Sequence, residues 1–208
     1  MIDTYVRVPS WVYEIQLLSD RADCILAIRN ARNVGLGQLA DRYQRILDAE
    51  VKRLNEFRAF SALLRDANAY GERVAQKAHE DHPSLSPTAL GNIAFNAANW
   101  YGNKALLDTT LRAATRKSSK VYEITLKKGE DLDRRAYALY RALSIGSRKT
   151  NRPYGGREGL HELPDAKGGF NGGLIGLRRA RESGSNSPAI DIKTPDGRDI
   201  KIHLRHKP

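Results

Sequence analysis

The stretch AIDIKTPDGRDIKIHLR, residues 189–205, decides how the C-terminal part of the chain folds. Pro195-Asp196-Gly197-Arg198 is a turn tetrad, and the runs on either side, Ala189 to Thr194 and Asp199 to Arg205, alternate in polarity, so the spacing predicts a β-hairpin. Successive side chains of a strand point to opposite faces. Ile190, Ile192, Ile200, Ile202 and Leu204 therefore share one face, and Asp191, Lys193, Asp199, Lys201, His203 and Arg205 share the other. Val121 to Leu126 alternates in the same way and reads as a strand able to pair with the hairpin in a small sheet. A helix from about Asp131 to Leu143, with Leu132, Ala136, Leu139, Tyr140 and Leu143 inward, is placed to cover that sheet.

Upstream the pattern is helical. Thr4 to Val8 reads as a short strand before Pro9, and Ser10 as the cap of a first helix with Trp11, Ile15, Leu18, Ala22, Ile25 and Ile28 on one stripe. Cys24 falls inside that pattern as a small buried residue. Asn33, Gly35 and Gly37 end it. A second helix runs from about Gln38 to the region of His79. At 1.5 Å per residue its length is roughly 60 Å, so it either bends at Gly71 or offers a hairpin or coiled-coil surface. Ser86 and Pro87 then open a third helix, possessing the cap and first-turn residues that a helix start favours.

From Ser144 to Ser187 regular periodicity is absent. Eight of the 22 residues from Gly155 to Gly176 are glycine, interleaved with Leu160, Leu163, Phe170, Leu174 and Ile175. This composition suggests an ordered loop or an arm that gains its structure from a partner. The expected fold is α+β: a mostly helical N-terminal bundle over residues 1–118, then a small basic part over 119–208 with a strand, a helix, a Gly-rich extended segment and a C-terminal β-hairpin.

Charge divides the chain at a similar place. Residues 1–110 hold 13 Lys+Arg and 13 Asp+Glu; residues 111–208 hold 22 and 11, so the net +11 lies in the second half. A polyanionic partner is the expectation. The candidate contacts are Arg112, Arg116, Lys117, Lys120, Lys127, Lys128, Arg148, Lys149, Arg152, Arg157, Arg178, Arg179, Arg181, Arg205 and Lys207. No run approaches the 20 apolar residues of a membrane helix, and no secretory leader is visible at the N-terminus. One cysteine excludes an intrachain disulfide framework and a Cys-based zinc module. Gly155-Gly156 and the run 168–173 lack the Lys-Ser/Thr and strand context of a phosphate loop. The pairs His79/His82 and His203/His206 lack a third converging ligand, so neither metal nor cofactor is expected.

These features favour a non-enzymatic building block of a large assembly, a virus or phage particle or a ribonucleoprotein, made in the cytoplasm. It would be oligomeric and off the membrane, its basic Gly-rich half meeting neighbouring subunits or nucleic acid. The alternative is a metal-independent nuclease or toxin domain with His203 and His161 as acid and base, Glu162 nearby and Arg157 on phosphate. A helical DNA-binding regulator using the region of Arg112 and Arg116 is the third reading.

Overall fold

The computed structural model describes residues 10–182 and 186–208; the strand expected over Thr4–Val8 lies outside them. Packing divides the chain into two compact units, residues 1–64 and 65–208, with the division inside the second helix.

The first unit holds α1 (Ser10–Asn33) and the N-terminal part of α2 (Gly37–Asp81). The turn between them is a Schellman motif. The Leu36 N–H bonds the Ala31 carbonyl at 2.9 Å, the Gly35 N–H bonds that of Arg32 at 3.1 Å, and Gly35 takes φ +76°. Among the described side chains of this unit the buried ones are Cys24, Ile28 and Ala31 on α1 with Ala40, Glu50 and Leu54 on α2. Cys24 is buried as its place in the pattern suggests. Leu18 and Ile25, expected on the inward stripe, are instead 39% and 48% exposed, because the buried stripe runs through Cys24 and Ala31.

In the second unit, α2 continues without a break past Gly71. That glycine is buried against α3 (Pro87–Ala113): a Cβ there would lie 2.3 Å from the Ala94 carbonyl oxygen. Ser86 caps α3 by accepting the Ala89 N–H, with Pro87 in the first turn, as the sequence predicts. Then follow β1 (Thr115–Arg116), β2 (Val121–Leu126), α4 (Leu132–Leu143, capped by Asp131), β3 (Arg148–Lys149), β4 (Leu160–Glu162), β5 (Leu174–Arg178), β6 (Ala189–Lys193) and β7 (Asp199–His206). The α+β class with a helical N-terminal part is what the structure shows.

Among the described residues seven strands form one sheet in the order β1-β2-β7-β6-β5-β4-β3. Only β2 and β7 are parallel; every other neighbouring pair is antiparallel. The hairpin closes as its turn residues dictate. The Thr194 N–H bonds the Arg198 carbonyl, the Gly197 N–H bonds that of Thr194, and Gly197 takes φ +81°. Ile175, Leu177, Ile190, Ile192, Ile200, Ile202 and Leu204 form the core with Ala136, Tyr140 and Leu143 of α4, and Leu106, Leu107 and Leu111 of α3 pack against it. The opposite face of the sheet carries the polar residues of the same strands.

The Gly-rich segment departs from its expected form as an arm. It supplies β3, β4 and β5 to the sheet of its own chain, and its connection between β4 and β5 is tied down. Asp165 accepts the N–H groups of Lys167, Gly169 and Asn171 at 2.8, 2.9 and 3.1 Å. Tyr70 donates to the Ala166 carbonyl and Asn96 to that of Gly168. The alternation is hidden because Gly176 stands where β5 would otherwise show a side chain on the open face, between Ile175 and Leu177 in the core. The reason for glycine there is spatial: a Cβ would meet the Tyr154 ring at 2.4 Å.

Candidate nucleic-acid interface on the open sheet face

The register brings the polar residues of β5, β6, β7 and β2 into rows. Gly176, Asp191, Lys201 and Val121 lie in one row; Arg178, Ala189, His203 and Glu123 lie in the next; Arg205 and Thr125 pair beyond them. Asp191 is the hub. It accepts Arg178 through Nε at 2.7 Å and Nη2 at 3.0 Å, and the Tyr154 hydroxyl at 2.7 Å, while Lys201 Nζ stands 3.9 Å away. A two-point Arg–carboxylate pair fixes both planes and is stronger than a neutral bond. Burial, reinforced by the bond to Asp191, holds the Tyr154 hydroxyl well above its usual range, so it stays protonated. The Asp191 bond likewise raises Arg178.

His203 stands half-buried beside this hub, its Nδ1 3.4 Å from the buried Ser187 Oγ. Burial lowers its pKa, and Arg205 and Lys201, with a smaller part from Arg178, lower it further against the opposing pull of Asp191. The unfolded imidazole titrates near 6.5. Below that value the unfolded chain binds more protons than the folded one, so the stability present at higher pH is lost as pH falls through the folded pKa. Urea unfolding between pH 7 and 5 checks this. The midpoint of the parent is expected to fall further than that of His203→Gln, and an equal fall in both would remove His203 as a cause.

Glu123 carries no site signal in the sequence. Its side chain is 17% exposed and lies 3.5 Å from both Arg205 and Lys117. The alternation of β2 puts it on a sheet face. The parallel pairing that sets it opposite His203 joins residues about eighty positions apart and has no local signal.

The other predicted residues scatter. His161 pairs with Ile175 and faces the core side, edge-on to Tyr140 at 6.0 Å, with its Nδ1 3.2 Å from Ser147 Oγ. It is on the opposite side of the sheet from His203, so the two do not form the acid–base pair expected from the sequence. Glu162 is bound by Arg148 at 2.9 Å, and Arg157 bonds Glu182 through its backbone N–H. Arg148 also lies over the Phe170 ring at 4.4 Å. Lys120 pairs with Asp199 at 3.4 Å and Arg179 with Glu158 at 2.9 Å. Arg112 ends α3, whereas Arg116 lies on β1 and donates to the Ser118 carbonyl, so the two do not share a recognition helix. Lys127 and Lys128 occupy the turn before α4, Lys149 lies on edge strand β3, and Arg152, Arg181 and Lys207 lie outside the strands. Lys193 and Lys201 lie on the same face as Arg178 and Arg205, as alternation places them.

On the helix side, a cleft of about 320 Å³ runs between α3 and the sheet, lined by Trp100, Leu107, Leu111, Ile175, Ile192 and Ile200. Its charged rim is already paired, Lys104 with Asp108 and Arg198 with Asp196. Among the described residues no three His, Cys, Asp or Glu side chains gather as metal ligands, and no helix is long and apolar enough to cross a membrane.

No protein-family model, curated protein or solved structure matches this chain. The chain is an α+β protein whose sheet is covered by helices on one face and carries on the other a network of Arg178, Lys193, Lys201 and Arg205 with Asp191, Asp199 and Glu123.

Proposed function

We propose that this protein binds nucleic acid through the open face of its sheet, as a component of a larger assembly. The observation that supports the reading is the local charge around His203. Arg205, Lys201 and Arg178 all act on it, with Asp191 opposing them and Glu123 its neighbour in register on β2. Asp191 is engaged most closely by Arg178, leaving Lys201 at 3.9 Å, and Arg205 shares Glu123 with Lys117. A phosphodiester backbone offers these cations further negative charge, and cations set on a rigid sheet lose little freedom when it binds.

Gel shift with labelled RNA and duplex DNA tests this. Retardation is expected at low salt and weakens steeply as salt rises. Lys193→Ala and Lys201→Ala are each expected to weaken binding uniformly across sequences and to reduce the salt slope by about 1. No retardation at low salt, or retardation indifferent to salt, would refute the reading.

A separate observation supports the assembly part. In the first unit Leu18, Ile25, Leu39, Ile46, Phe60 and Leu64 are 38–57% exposed. Leu18 and Ile25 are seven residues apart, as are Leu39 and Ile46, a spacing that keeps apolar side chains on one seam of a helix. Exposed apolar surface arranged this way supports a contact with another chain. Light scattering of the parent against Ile25→Glu/Ile46→Glu reads it: the parent is expected to be oligomeric and the variant to lose subunits. A monomeric parent refutes self-assembly.

A further inference from the structure

We propose that the sheet face around His203 cleaves RNA, with the substrate's own 2′-hydroxyl as the attacking group. The proposal rests on the nucleic-acid reading above and names the substrate class and the chemistry of that same site.

Transesterification within RNA needs a group to take the 2′-proton, a group to protonate the leaving oxygen, and fixed cations for the charge that grows on phosphorus. Several titratable groups on this face are already committed to other roles. Asp191 accepts three hydrogen bonds, from Arg178 and Tyr154, and the Tyr154 hydroxyl is spent on that carboxylate. Glu123 lies between Arg205 and Lys117. His203 is differently placed. Its Nδ1 lies 3.4 Å from Ser187 Oγ; with Nδ1–H donating to that oxygen, Nε2 is the nitrogen open for proton exchange. Its neighbour in register on β6 is Ala189, too small to cover the imidazole. The surrounding cations and burial keep it unprotonated near neutral pH, the state of a proton acceptor.

Lys201 precedes His203 by two residues on the same face of β7, roughly 7 Å along the strand. In-line displacement puts the attacking and leaving oxygens on opposite sides of phosphorus, so two groups at such a separation flank one phosphodiester. The 2′-oxygen–phosphorus bond forms as the phosphorus–5′-oxygen bond breaks. The 2′-proton passes to His203 Nε2, and the 5′-oxygen leaves with a proton from the Lys201 ammonium. The products are a 2′,3′-cyclic phosphate and a 5′-hydroxyl; nothing is oxidised or reduced, and no co-reactant is consumed. Arg205, held near Glu123, follows His203 by two residues on the same face, and Arg178, held by Asp191, lies in the row of His203 two strands away; both are cations for the non-bridging oxygens.

The test uses the full chain with an end-labelled single-stranded RNA, its all-deoxy counterpart and the RNA carrying one 2′-deoxy nucleotide at the cut position, all in a chelating buffer. Each sample is run on native and denaturing gels. The expected result is shortened RNA ending in a cyclic phosphate, intact DNA, and no cut beside the deoxy nucleotide. His203→Ala is expected to retain the native-gel shift and cut at least about 100-fold more slowly, with added imidazole restoring part of the rate. The deoxy substrate tests the same chemistry in the parent protein, whatever the variant does to folding. RNA shifted but intact overturns cleavage and leaves binding standing. Absence of a shift overturns both. Cutting of DNA, a cut beside the deoxy nucleotide, or an undiminished rate in a folded His203→Ala protein overturns the mechanism.

Discussion

Gly173→Ala is expected to lower the stability of the 65–208 unit more than any exposed substitution. Gly173 enters β5 with φ +107°, a conformation that residues with a side chain rarely adopt, and a Cβ there would stand 2.2 Å from the Lys193 carbonyl oxygen. The backbone strain alone costs about 1–3 kcal/mol. The overlap adds to it, because the obstacle is main chain and cannot rotate away. Relief requires β5 to move off β6, where Leu174 pairs with Lys193 and Ile175 with Ile192. Domains are stable by only about 5–15 kcal/mol, so a fall in the urea midpoint of roughly 1 M or more is expected. An unchanged midpoint would show that β5 does not enter the sheet as described. Because the glycine belongs to the segment whose composition suggests an arm, the same measurement also tests whether that segment is part of the folded unit.

Ile202→Ala is expected to be comparably damaging by another route. Ile202 is fully buried on β7, paired with Tyr122 on one side and Ile190 on the other, in the core shared with Ala136, Tyr140 and Leu143. Truncation removes its apolar contacts and leaves a cavity that a sheet held by neighbours on both edges collapses into poorly. The expected cost is about 2–5 kcal/mol. Lys193→Ala, on an exposed position of the adjacent strand, is the control, expected within about 0.5 kcal/mol of the parent. The two are compared by thermal or urea unfolding. Equal effects would mean that the two faces of the hairpin had been assigned the wrong way round.

The faces of that hairpin are legible in the sequence because their information is local. A two-residue period together with the Pro195-Asp196-Gly197 turn fixes the register of β6 against β7, and the register fixes which side chains go inward. The same holds for the start of α3, where Ser86 and Pro87 act within one turn, and for α4, capped by Asp131. Alternation alone therefore places His203, Lys201 and Arg205 on one face, and Asp191 with them.

What the tertiary structure alone decided concerns partners distant in sequence. The parallel pairing of β2 with β7 sets Glu123 opposite His203. Antiparallel pairing of β4 with β5 turns His161 to the core side, which separates two histidines that residue chemistry suggests as a pair. The glycines of 155–176 give no periodicity because a residue without a side chain cannot show which way it faces. Their role appears only when Tyr154, Lys193 and Ile93 stand against them. The sequence by itself determined the α+β class, the inward and outward faces of the closing hairpin and the excess of cations in the second half. Long-range strand pairing added Arg178 and Glu123 to the Lys201 and Arg205 that alternation sets beside His203, since hydrogen-bond register between remote segments is set by the packing of the whole sheet and not by any one stretch of chain.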